Sequence, residues 1–167
     1  GTITISGGKC VAVGAGVPEG GFDCDQNTFK VTGGILIGIG GTHSTPTESA
    51  TSQPCVITSG LTFTAGQNYI LKGDSEILSY KAVRTFSGAS LLISSPSLKK
   101  GGSYTFGDAS ITCSSDTWVT GSGSNGMGPG GMQPGGGPGG TPPDGQGGQG
   151  GPGGTPPDGQ GGGQNRF

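Results

Sequence analysis

Apolar and polar residues alternate from the start of the chain. Thr2-Ile3-Thr4-Ile5-Ser6 puts Ile3 and Ile5 on one face and hydroxyls on the other, the period-two pattern of a strand with one face inward. Gly7-Gly8 follows, and then a second run places Cys10 and Ala12 inward with Val11 and Val13 outward. The same order returns at Phe29/Val31, Gly33-Gly34 and Leu36/Gly38, and more weakly at Cys55/Ile57 with Ser59-Gly60. The offsets (29 − 3 and 55 − 29) are both 26 residues, and Gly14, Gly40 and Gly66 close the units in the same frame. A glycine corner supplies the positive φ that a sharp bend between two strands demands. Strand, corner and strand recurring in one frame describe a turn of a β-solenoid. No useful stretch has the helical period, so the fold class expected is all-β, with right-handed parallel β-helix rungs over residues 1–66.

The second strand of each unit adds a condition. Val11, Val13, Ile37 and Ile39 are apolar on the outward side too, and a strand apolar on both faces is covered on both. The segment 67–118 is the available cover. It leaves the 26-residue frame and breaks into short β-type runs at 69–72, 76–80, 82–86, 90–94, 103–106 and 109–113. Turn formers such as Gly73-Asp74, Ser95-Pro96 and Gly101-Gly102 separate them. This predicts an antiparallel meander that caps the solenoid, since an open rung presents unpaired backbone groups. At the other end Gly1 falls directly into a strand with no Met or signal peptide, as in a processed or excerpted chain. That edge is expected to meet upstream rungs, another cap or another copy of the chain.

Composition changes the picture only at the C-terminal end. Of 167 residues 41 are Gly and 12 are Pro, and these concentrate in residues 119–167, where GGPGGTPPDGQ occurs twice. Such a segment cannot bury enough surface to offset its ordering entropy, so a Gly/Pro-rich extended tail is expected. A net charge of −2 gives no basic footprint for nucleic acid, and no apolar run is long enough to span a membrane.

Two runs resemble a known family. Gly21-Phe22-Asp23-Cys24-Asp25-Gln26-Asn27-Thr28-Phe29-Lys30-Val31-Thr32-Gly33-Gly34-Ile35-Leu36-Ile37-Gly38-Ile39-Gly40-Gly41 is similar to a segment of bacterial secreted carbohydrate-binding domain-containing proteins. Ser94-Ser95-Pro96-Ser97-Leu98-Lys99-Lys100-Gly101-Gly102-Ser103-Tyr104-Thr105-Phe106 resembles that family's C-terminal strand segment. The resemblance covers roughly residues 1–115. It implies a secreted or cell-surface parallel β-helix that binds polysaccharide, either cellulose or acidic pectin-type chains, with calcium among its ligands.

Several residues are candidates for such chemistry. Glu19, Asp23 and Asp25 sit in the loop between the first two units, where carboxylates could converge on calcium or cap backbone N–H groups. Tyr69, Tyr80, Tyr104 and Trp118 could stack on sugar rings, Trp118 being the most exposed candidate, while Phe29 belongs to the core. Lys30, Lys72 and Lys81 could attract an acidic polymer. Cys10, Cys24, Cys55 and Cys113 contain no CxxC pair, and suit either disulfides or buried free thiols. His43 stands alone in a Thr/Ser/Pro loop and is expected to be exposed.

No nucleophile or paired-acid arrangement is visible, and the frame does not bring Arg84 to Asp23 and Asp25, so an enzyme is not expected. The first function expected is non-catalytic polysaccharide binding. The alternatives are a structural subunit of an extracellular fibre, matrix or surface layer, stacking through its open N-terminal rung, and a degenerate pectin-lyase-like enzyme.

Overall fold

The computed structural model describes residues 1–25 and 27–123. The expected tail, from residue 124 onward, lies outside them. The described chain is all-β: β1 (Ile3–Val13), β2 (Phe29–Gly40), β3 (Cys55–Phe63), β4 (Asn68–Lys72), β5 (Glu76–Lys81), β6 (Phe86–Ser94), β7 (Ser103–Phe106), β8 (Ala109–Thr112) and β9 (Val119–Thr120). A single 3₁₀ turn, Glu48–Ala50, precedes β3. The strands form a five-stranded sheet in the order β1-β2-β6-β3-β9 and a four-stranded antiparallel sheet in the order β5-β4-β7-β8.

β1 and β2 run parallel, with Ile3 beside Phe29, Ile5 beside Val31, Cys10 beside Leu36 and Ala12 beside Gly38. Each of these pairs is 26 residues apart, the offset of the sequence repeat. Register shifts fall at the Gly-Gly corner, where Gly8 and Gly34 have φ of +74° and +84°. Gly60 has φ of +80° at the matching place in β3. All three units therefore carry the same left-handed corner, a conformation that costs a residue with a Cβ about 1–2 kcal/mol.

The third unit departs from the expected stack. β3 lies two places from β2, because β6 runs antiparallel between them: Leu36 and Cys55 both pair with Ser94, and Ile37 and Val56 both pair with Ile93. The reason lies in β6 itself. Residues 89–94 (ASLLIS) are buried on both faces, so this strand needs a neighbour on each side as well as cover on each face. The first arm of β2 is flanked instead by an irregular segment, with Thr47 N donating to Phe29 O (2.8 Å) and Ser52 N to Val31 O (2.9 Å).

Two apolar clusters result. Inside the bend, Phe22, Cys24, Phe29, Val31, Leu36, Cys55, Ile57 and Leu92 pack together, with Ile3, Ile5, Cys10 and Ala12 half-covered against them. On the other face, Ile37, Ile39, Val56, Leu91 and Ile93 pack against Leu71, Leu78, Tyr80, Phe106 and Ile111 of the second sheet. The outward apolar residues of β2 are thus covered by side chains of 67–118. That segment also gives β6 to the first sheet, beyond the meander expected of it.

The C-terminal stretch is fastened closely. β9 pairs parallel with β3 through Cys55–Val119 and Val56–Thr120. Both Glu48 carboxylate oxygens accept backbone hydrogen bonds, from Trp118 N (2.7 Å) and Val119 N (2.9 Å). Beyond β9 the backbone runs so near the core that a Cβ on Gly121 would strike the Ile57 carbonyl, and one on Gly123 the His43 carbonyl.

Candidate functional site

The loop between β1 and β2 holds the three acidic residues singled out for calcium, and all three are exposed. Asp23 Oδ1 accepts hydrogen bonds from Asp25 N (2.9 Å) and Ser44 Oγ (3.2 Å), which makes the pair an Asx turn. Asp25, the residue that closes that turn, takes φ of +55°. Glu19 is joined to Thr42 by a backbone bridge instead. Among the described residues, no three His, Cys, Asp or Glu side chains stand where they could share an ion. The hydrogen bonds that this loop makes are those of the capping role.

His43 reverses its expectation. It is fully buried: its Nδ1 accepts from Gly21 N (3.0 Å) and Phe22 N (3.4 Å) while Nε2 meets Ser90 O at 3.1 Å. An Nδ1 that accepts requires the proton on Nε2, which donates to Ser90. Burial lowers the imidazole pKa from 6.5, against a smaller opposite pull from the Ser90 carbonyl. The ring is a neutral tie between the β1–β2 loop and β6, with both nitrogens in use. Its polar neighbours in sequence suggested a surface loop, but Ser44 turns inward with it, its Oγ accepting from Cys24 N (2.9 Å) in the same β1–β2 loop.

The four cysteines carry free thiols. Cys10, Leu36, Ser94 and Cys55 form one row across β1, β2, β6 and β3. Three strand spacings of ~4.8 Å separate Cys10 from Cys55, beyond the reach of a disulfide. Burial pushes the Cys55 thiol up to about 11, against a smaller opposing effect of its hydrogen bond to Ser94. Burial also raises Cys113. Cys55 and Cys113 pack within the two apolar clusters.

The aromatic candidates divide. Tyr80 is 6% exposed within the cluster between the sheets and has no face for a ligand. The signal was present in sequence, since Leu78, Tyr80 and Ala82 alternate on one side. Tyr69 stands at the lip of a groove with Gln67 and Asp108. Its ring is held edge-on by Phe63 at 4.9 Å, and its hydroxyl accepts from Thr64 N at 2.8 Å. Tyr104 is half-buried over Gly73 and Gly102, and its hydroxyl accepts from Lys99 N (3.0 Å).

Trp118 is the aromatic residue placed for contact. Its half-buried ring borders an open groove with Thr32, Ser52, Gln53, Pro54 and Pro96. Lys100 Nζ lies 4.0 Å from the ring centroid, a cation–π contact that sequence reasoning missed because nothing local joins the two residues. Lys30, Lys72 and Lys81 are exposed but line no part of this groove. Trp118 and Tyr104 border separate depressions, so the structure does not assemble the expected aromatics into one site. Comparison with known proteins finds no matching family, no similar curated protein and no similar solved structure.

Proposed function

We propose that this chain is an extracellular, non-catalytic polysaccharide-binding β-domain that holds the polymer along the Trp118 groove. The observation that carries the reading is the half-exposed indole beside the exposed hydroxyl side chains of Thr32 and Ser52 in an open trough. Sugars present an apolar ring face edged by hydroxyls, and an aromatic face flanked by Thr and Ser hydroxyls complements both. The finer fold reading goes with this: β1 and β2 are successive coils of a right-handed parallel β-helix. The 26-residue register and the shared glycine corner support it. Calcium is left out of the reading, which rests on the groove and not on the β1–β2 loop. Catalysis has none either, since the one imidazole is buried with both nitrogens engaged.

Lys100 bears on which sugar is bound. Its ammonium rests on the indole and would be displaced by a neutral ring stacking there, whereas a uronate carboxylate could pair with it. The test is retention on insoluble cellulose and on immobilised polygalacturonate. Wild type should be retained on at least one, and Trp118→Ala should weaken that retention by about thirtyfold, as for a Trp anchor. Lys100→Ala should reduce retention on the acidic polymer only. If wild type passes through both columns, or Trp118→Ala is retained equally, the reading fails.

A further inference from the structure

β1 is an eleven-residue strand with one paired edge. Among the described residues nothing lies along its other edge. Its only charge is Lys9 and its register shifts are confined to the corner between Ile5 and Lys9, so the arms on either side have no proline or acidic residue of the kind that blunts long edge strands. Its inward side chains stop short of burial. Ile3, Ile5 and Cys10 are half-covered, while their β2 partners Phe29, Val31 and Leu36 are fully buried.

We propose that this edge is the interface of a two-fold dimer, in which β1 of one copy pairs antiparallel with β1 of another. The register can be derived. Ile3 N donates to Thr28 O and Gly14 N to Ile39 O, so Ile3, Ile5, Cys10, Ala12 and Gly14 direct their backbone groups toward β2. By alternation Thr4, Ser6, Lys9, Val11 and Val13 direct theirs to the open edge. The corner at Gly7-Gly8 shifts this alternation from odd to even numbers. A two-fold axis passing between Gly7 and Gly8 places Thr4 against Val11 and Ser6 against Lys9 of the other copy. Each of these is a pair of outward-directed residues.

The same axis sets Ile5 against Cys10 and Ile3 against Ala12, inward residue on inward residue. It also lays one corner on the other, which no other register does. The inner apolar cluster of each copy then continues across the interface and completes the burial that β1 lacks. Because the two arms match each other in this way, a second copy of the chain is a sufficient partner.

Ile5 and Cys10 of the other copy would form a non-hydrogen-bonded antiparallel pair, with Cα atoms about 4.5 Å apart, within disulfide reach. The substitution Ile5→Cys should therefore yield a covalent dimer through native Cys10 on mild oxidation. Ile3→Cys, which faces Ala12, should not. Light scattering of the wild-type protein should give twice the monomer mass. Proline at Thr4 removes a donor that β2 does not use. It should weaken the dimer by about thirtyfold through two lost hydrogen bonds, while circular dichroism shows the fold retained. A monomeric wild type overturns the proposal, as does crosslinking of Ile3→Cys equal to that of Ile5→Cys. If Thr4→Pro unfolds the chain, the crosslink pattern alone decides.

Discussion

The first two units and the third are built alike and placed differently. β1 and β2 share a strand, a left-handed glycine and a second strand, and lie side by side at the repeat offset. β3 has the same parts, including Gly60, but takes its place across an antiparallel β6. The difference shows what a repeat encodes. It sets the shape of each unit, where it extends and where it turns, whereas the neighbour is chosen by whichever strand most needs enclosure. Residues 89–94, buried on both faces, are enclosed by β2 on one edge and β3 on the other.

The largest effects should come from that intercalated strand. Consecutive residues of a one-faced strand respond unequally to truncation, but Leu91 and Leu92 enter opposite clusters. Leu91→Ala and Leu92→Ala should each cost about 2–5 kcal/mol in denaturant unfolding. A silent result at either position would remove β6 from the centre of the sheet.

A finer separation should come from the corners. A Cβ at Gly34 would lie 2.7 Å from Gly7 backbone atoms, whereas at Gly60 it would meet nothing within 4 Å. Gly34→Ala should cost about 3 kcal/mol or more, combining φ strain with overlap, and Gly60→Ala only the about 1–2 kcal/mol of φ strain. Equal losses would mean that stacking of the first two corners contributes nothing.

The smallest effect should come from the tie between the two regions. The His43 pKa is lowered in the fold from 6.5, so below that pH the unfolded chain takes up the proton first. The stability this group contributes is full above 6.5 and declines as the solution is acidified toward the lower folded value. Unfolding midpoints measured from about pH 7.5 to about pH 5 should fall in wild type and fall less steeply in His43→Asn. An identical slope in the two would show that the imidazole is not the group responsible.

The strands and corners of the repeat were legible because they are local: Ile3/Ile5 and Phe29/Val31 alternate, and a glycine stands where the chain turns. The apolar outer positions Ile37 and Ile39 announced a covering layer for the same reason. The pairing of β6 was not legible, since the need of residues 89–94 for two neighbours does not say which two. His43 was misread because Thr and Ser around it signal solvent, when here its ring and the Ser44 hydroxyl satisfy backbone groups of the β1–β2 loop and β6, segments distant in sequence. Trp118 could be picked out as an aromatic residue, but its contact with Lys100 and its hold by Glu48 join residues distant in sequence.

The closeness of Gly121 and Gly123 to the carbonyls of Ile57 and His43 has a practical meaning for anyone attaching cargo to this domain. The backbone at Gly121 and Gly123 is pressed against those carbonyls, so this stretch is a working part of the fold and not a spacer hung from it. A fusion joint placed before Gly123 exchanges these glycines for side chains whose Cβ atoms would overlap the Ile57 and His43 carbonyls.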